Sequence, residues 1–172
     1  IMLAAIQVLM QFVFISSYAL DGFAHAVETL VGQAIGRKDR GRLRRAALLG
    51  SEWALACAVL MSCGFGLLGH QIIAIMTTSE PVREVAGHHL IYVIATPVFA
   101  VAAFMIDGIF VGATRARDMR DTMAISAAIY LACALALLPI LGNHGLWVAL
   151  LISFFARAAT LGARYRDLER AL

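Results

Sequence analysis

Apolar runs of about 20 residues, the length that crosses a bilayer, alternate with short polar stretches along this chain. Their pattern predicts five membrane-spanning helices, at about 3–35, 43–68, 81–114, 122–141 and 146–163. The first is long for a bilayer and should tilt or protrude. It stops at Gly36 before the basic run RKDRGRLRR. In the second, Gly50, Ala54, Ala58, Ser62 and Gly66 recur every fourth position, a stripe of small side chains that lets a neighbouring helix come close. Ala124, Ala128, Ala132 and Ala136 form a similar stripe in the fourth. HQIIAIMTT, residues 70–78, reads as a separate amphipathic piece at the membrane interface. Pro97 should kink the third span. Pro139 with GNHG, residues 142–145, predicts a tight turn, and Trp147 is expected in the aromatic belt at the outer end of the fifth span. The tail RYRDLERAL should be charged and solvated.

Composition strengthens the same fold class, an all-α integral membrane protein. The chain is 62% hydrophobic and 15% charged, whereas soluble domains run about half apolar and about a quarter charged. A net charge of +3 does not point to nucleic acid, because the basic residues flank apolar spans. Six lie in the first loop (Arg37, Lys38, Arg40, Arg42, Arg44, Arg45), three in RARDMR (Arg115, Arg117, Arg120) and three in the tail (Arg164, Arg166, Arg170). The positive-inside rule then places both loops and the C-terminus in the cytoplasm. Cys57, Cys63 and Cys133 are odd in number and lack a C-x-x-C spacing, so they read as small core residues and not as a disulfide or zinc framework. The apolar start at Ile1 carries no basic n-region and no cleavage site, and predicts a piece that begins inside a longer protein.

Ionisable groups inside apolar spans are costly and mark candidate chemistry. Asp107 lies about two helical turns inside the third span. It could exchange a proton or bind a desolvated cation, or else make an ion pair with another helix. Asp21, His25 and Glu28 share one helix face. They could form a proton relay or the wall of a cation-attracting cavity, or an interhelical clamp to Arg115 or to a part of the protein outside this chain. One helix face rarely completes a metal site, so no metal is expected. Glu52 should pair with the basic loop at the interface, while Gln7 and Gln11 could line a pore or hydrogen-bond across helices. His88 and His89 are adjacent and cannot share a face, and His70 and His144 should be interfacial. No hydrolase triad, P-loop or C-x-x-C is present, which argues against an enzyme. A membrane-embedded enzyme built on the Asp21 cluster is the rival of another class.

Two stretches carry a family likeness. DGFAHAVETLVGQAIGRKDR, residues 21–40, resembles the eighth transmembrane helix, and the loop after it, of multidrug and toxic-compound extrusion (MATE) transporters, with the DNA-damage-inducible-F branch the most alike. IDGIFVGATRARDMRDTM, residues 106–123, resembles the end of the tenth helix and its loop, with Arg115, Asp118 and Arg120 as the loop motif and departures at Thr114 and Ala116. The resemblance implies that the five spans correspond to helices 8–12 of a twelve-helix transporter, so that 1–172 is a partial C-terminal lobe. Helix seven and the N-terminal lobe would then be partners outside this chain, alongside the lipid bilayer. It also implies proton- or sodium-coupled antiport of amphiphilic, often cationic, organic compounds across a bacterial inner membrane, with no cofactor. By that likeness Asp107 matches the cation-site carboxylate of the C-terminal lobe, although in some relatives the coupling aspartate sits in the N-terminal lobe. A lipid-linked saccharide flippase of the same superfamily is the alternative.

Overall fold

A computed structural model describes residues 1–170. Five long helices, α1 (Met2–Gly36), α2 (Arg40–Met76), α3 (Glu80–Gly112), α4 (Ala116–Leu141) and α5 (Asn143–Ala163), precede a short α6 (Tyr165–Arg170). Five helical segments are long and apolar enough to cross a membrane. This is an all-α, multi-pass membrane protein. At 1.5 Å per residue, the 35 residues of α1 reach well beyond a hydrocarbon core of about 30 Å.

α2 does not break where a separate interfacial piece was expected. It continues through Gly69 to Met76, because Gly69 packs on Leu90 of α3 and Ile73 is buried beside it. Arg83 then closes the helix end, its guanidinium donating to the carbonyls of Ala74 at 2.8 Å and Thr77 at 2.7 Å. A cation there meets both the orphan carbonyls and the negative end of the helix dipole. At the other end Asp39 caps α2, accepting from the Arg42 amide at 3.0 Å. Pro97 lies inside a continuous α3 and Pro139 inside α4. The α4–α5 turn is Gly142 alone, at φ 55° and ψ −135°, a backbone region that essentially only glycine occupies.

α1, α2 and α3 pack as one body, and α4–α5 form a hairpin that meets it chiefly across α3 and α5. The α1–α3 seam is the tightest. A Cβ on Gly108 would lie 2.5 Å from the Ala24 carbonyl oxygen, and one on Gly112 would collide with that of Glu28. The small-residue stripe of α2 is used in part, with Ala54 and Ala58 fully buried. That of α4 is not: Ala124, Ala128, Ala132 and Ala136 all face outward, and Thr122, Ser126 and Ala134 make the buried line instead. The two hydroxyls stay satisfied there by returning to the carbonyls of Asp118 and Thr122.

Four further expectations change. Trp147 is 5% exposed and stacks on Tyr92, so it belongs to the core and not to an aromatic belt. Cys63 is exposed and Cys57 and Cys133 are half-buried, on outward faces. Glu52 is exposed and makes no ion pair with the basic loop among the described residues. Ala171 and Leu172 of the tail lie outside the described residues, and the described part, 164–170, is only partly solvated. α6 buries Leu168, and Glu169 receives two hydrogen bonds from Arg44.

Candidate functional site

Asp107 sits on α3, one residue before the first seam glycine, and its carboxylate turns toward α5. Arg157 meets it there in a two-pronged pair, Nη2 to Oδ2 at 2.6 Å and Nε to Oδ1 at 3.2 Å. Planar guanidinium and carboxylate match in this geometry, which makes it a strong ionic contact. Both side chains are only about a quarter exposed or less. Each charge therefore cancels the other where neither could be left alone cheaply. Arg157 falls within the fifth span, and nothing in its local spacing names Asp107 as its partner. The available signal was its solitude: one lone cation in span five and one lone anion deep in span three.

A cavity of about 250 Å³ opens beside this pair, lined by Asp107 and Arg157 and, from α1, by Asp21, His25 and Glu28. The structure thus brings all four predicted groups to one cavity and adds Arg157. Three carboxylates face one guanidinium, so the cavity favours a cation. His25 Nδ1 lies 3.1 Å from Glu28 Oε2, where the carboxylate accepts, and the His25 side chain is 77% exposed. The expected clamp from this cluster to Arg115 does not form, because Arg115 turns to Asp118. Among the described residues no three metal-ligating side chains are grouped to hold a metal ion.

The same face of α1 continues as a polar line. Gln7, Gln11, Tyr18, His25 and Thr29 are exposed, with Asp21 and Glu28 half-buried along it. Steps of three, four or seven residues keep them on one side, with exposed Phe14 between Gln11 and Tyr18. The two glutamines make no hydrogen bond across to another helix of the described chain.

The loop motif splits into two parts. Asp118 accepts from Arg164 at 2.7 Å and from Arg115 at 3.5 Å, joining the start of α4 to the end of α5. Arg120 instead pairs with its neighbour Asp121 in an exposed position. Thr114, one of the departures from the family pattern, holds φ at 56° in the turn, a left-handed position that is unusual for a β-branched residue. Amides 114 and 115 reach back to the carbonyls of Val111 and Phe110, closing α3.

The chain matches the MatE family over residues 1–140. It is 40% identical over 170 residues to DNA damage-inducible protein F of Escherichia coli (strain K12), covering 95% of this chain and 36% of that protein. It is 32% identical over 162 residues to a probable multidrug resistance protein NorM of Xanthomonas campestris pv. campestris, covering 88% and 34%. Protein DETOXIFICATION 42 of Arabidopsis thaliana is 28% identical over 161 residues, covering 91% and 30%. The chain therefore spans about a third of the length of the curated relatives it matches. No solved structure matches it significantly.

Proposed function

The chain belongs to the MatE family, and from that premise we propose that it is part of the C-terminal lobe of an ion-coupled antiporter for amphiphilic organic cations. One observation carries the reading: the Asp107–Arg157 pair opens on a cavity with two further carboxylates, Asp21 and Glu28. The multidrug resistance protein NorM among its relatives favours a xenobiotic cargo. The coupling ion is a proton or sodium.

The chemistry follows from the pair. A proton or sodium ion on Asp107 removes the charge that balances Arg157. A guanidinium cannot lose its proton, so it must find another anion. Asp21 and Glu28 face the same cavity. The ion therefore loosens the contact by which the α4–α5 hairpin holds to α3. A cationic substrate competes for the same carboxylates, and the two ligands bind in turn. Breaking a buried pair costs about 3–5 kcal/mol, and less where the side chains are partly exposed, as here. Inverting a two-state equilibrium from about 1:99 to 99:1 needs about 5.5 kcal/mol. Asp107 alone falls short, so the opposite wall must contribute to the switch.

The basic loops support a reading in which the C-terminus lies in the cytoplasm of a bacterial inner membrane. Cysteine at position 38 should then react with an impermeant reagent only after the cells are opened. The central test is Asp107→Asn in the full-length protein, read as efflux of a fluorescent cationic dye under an imposed proton or sodium gradient. Gradient-driven efflux should be lost while expression and insertion stay near normal. Wild-type efflux would make the pair purely structural.

A further inference from the structure

Far from the transport cavity, at the end of the bundle that carries the basic loop, lies a second cavity of about 480 Å³. It sits between the first turns of α2 and the short α6, and Arg40, Arg44, Arg166 and Arg170 line it together with Glu169. Glu169 is its one carboxylate among the described residues, and Arg44 uses both oxygens, at 2.9 and 3.2 Å. Arg40 donates to the Arg170 carbonyl at 3.3 Å, which ties α2 to α6 without neutralising either charge. Asp167 touches Arg170 only at 3.8 Å, with both side chains largely exposed. Arg166 makes no ion pair among the described residues. The cleft is thus braced by one ion pair and left with a surplus of guanidinium groups.

Loop charge alone does not require this arrangement. Scattered arginines would satisfy the positive-inside rule equally well. Here α6 is anchored by buried Leu168 and by the Arg44–Glu169 pair, so that guanidiniums from two elements converge. Planar, always-charged forks match phosphate oxygens in two-pronged fashion. The positive end of the α2 dipole adds to the same field. The start of α2 and the segment after α5 both flank apolar spans, a place where clustered cations attract anionic headgroups.

We infer that this four-arginine cleft binds a phosphate group, carried by an anionic phospholipid headgroup or by a soluble phosphate. The test uses the intact protein in a neutral detergent, in salt concentrated enough to shorten the Debye length to about 3 Å, so that diffuse attraction is screened. One arm titrates short-chain phosphatidylglycerol, with short-chain phosphatidylcholine as blank; the other titrates inorganic phosphate. Saturable binding is expected in one arm, and that arm identifies the source. Arg40→Gln with Arg166→Gln should weaken it by at least about tenfold, the scale of a lost charge-assisted contact. Arg37→Gln with Arg117→Gln removes the same charge from exposed positions outside the cleft, and should weaken binding less than about threefold. Equal loss in the two arginine pairs, or no saturable binding in either arm, would overturn the assignment.

Discussion

α1 and α2 each turn an uncovered face outward, and the two faces differ in chemistry. α2 shows Leu48, Trp53, Leu60, Leu67 and Ile75. α1 shows Gln7, Gln11, Tyr18 and His25 around a single Phe14, with Asp21 and Glu28 beside them. Lipid tails can cover the first face. They offer no hydrogen bond to the second, which needs water or another protein wall. Exposure in this chain therefore has two meanings, and side-chain chemistry tells them apart. The polar face is also the one that leads to Asp107 and Arg157.

The largest effect is expected where the polar face is fixed in place. Gly108→Val would drive a side chain into the backbone of Ala24. Neither backbone can yield locally, so the variant should fail to give a monodisperse, heat-stable protein on size exclusion. Normal behaviour would mean that the α1–α3 seam does not set the orientation of α1.

Next come the charges. Arg157→Leu leaves Asp107 uncompensated and should destabilise by about 3 kcal/mol. Adding Asp107→Asn should restore most of that stability without restoring ion-coupled efflux. Thermal unfolding and dye efflux on the same preparations separate the two roles.

A swap between the faces sharpens the contrast further. Leu60→Asp puts a carboxylate on the lipid side, at a cost of about 2.5–3.5 kcal/mol if it lies near the bilayer centre. Asp21→Leu on the cavity side should change stability by less than about 1 kcal/mol. Equal costs would erase the distinction. The gentlest probe is a single thiol on a background lacking Cys57, Cys63 and Cys133. Gln11→Cys should react with a water-soluble maleimide and Leu60→Cys should not, because thiols ionise only where water reaches. Stability should shift by no more than about 0.5 kcal/mol in either.

The five spans were legible because long apolar runs have few alternatives. Which neighbour each helix meets was less so. The alanine repeat of α4 named a face correctly as small and wrongly as buried, since alanine suits lipid and protein alike. Trp147 failed for a related reason: an aromatic ring with one polar atom fits an interface or a core, and here Tyr92 claims it. Asp107 was legible as costly, but its partner lies 50 residues away and only the α3–α5 contact selects it. The cluster of Asp21, His25 and Glu28 was visible from helical spacing alone. Its convergence with Asp107 depends on two glycines that let the helices touch.

Those glycines also restrict motion. With the carbonyls of Ala24 and Glu28 lodged against Gly108 and Gly112, α1 cannot roll about its own axis without lifting off α3. Its polar line therefore keeps one heading relative to α3. On the transport reading proposed above, α1 and α3 would act as a single jamb, and access to Asp21 and Asp107 would change as the α4–α5 hairpin or the wall opposite swings.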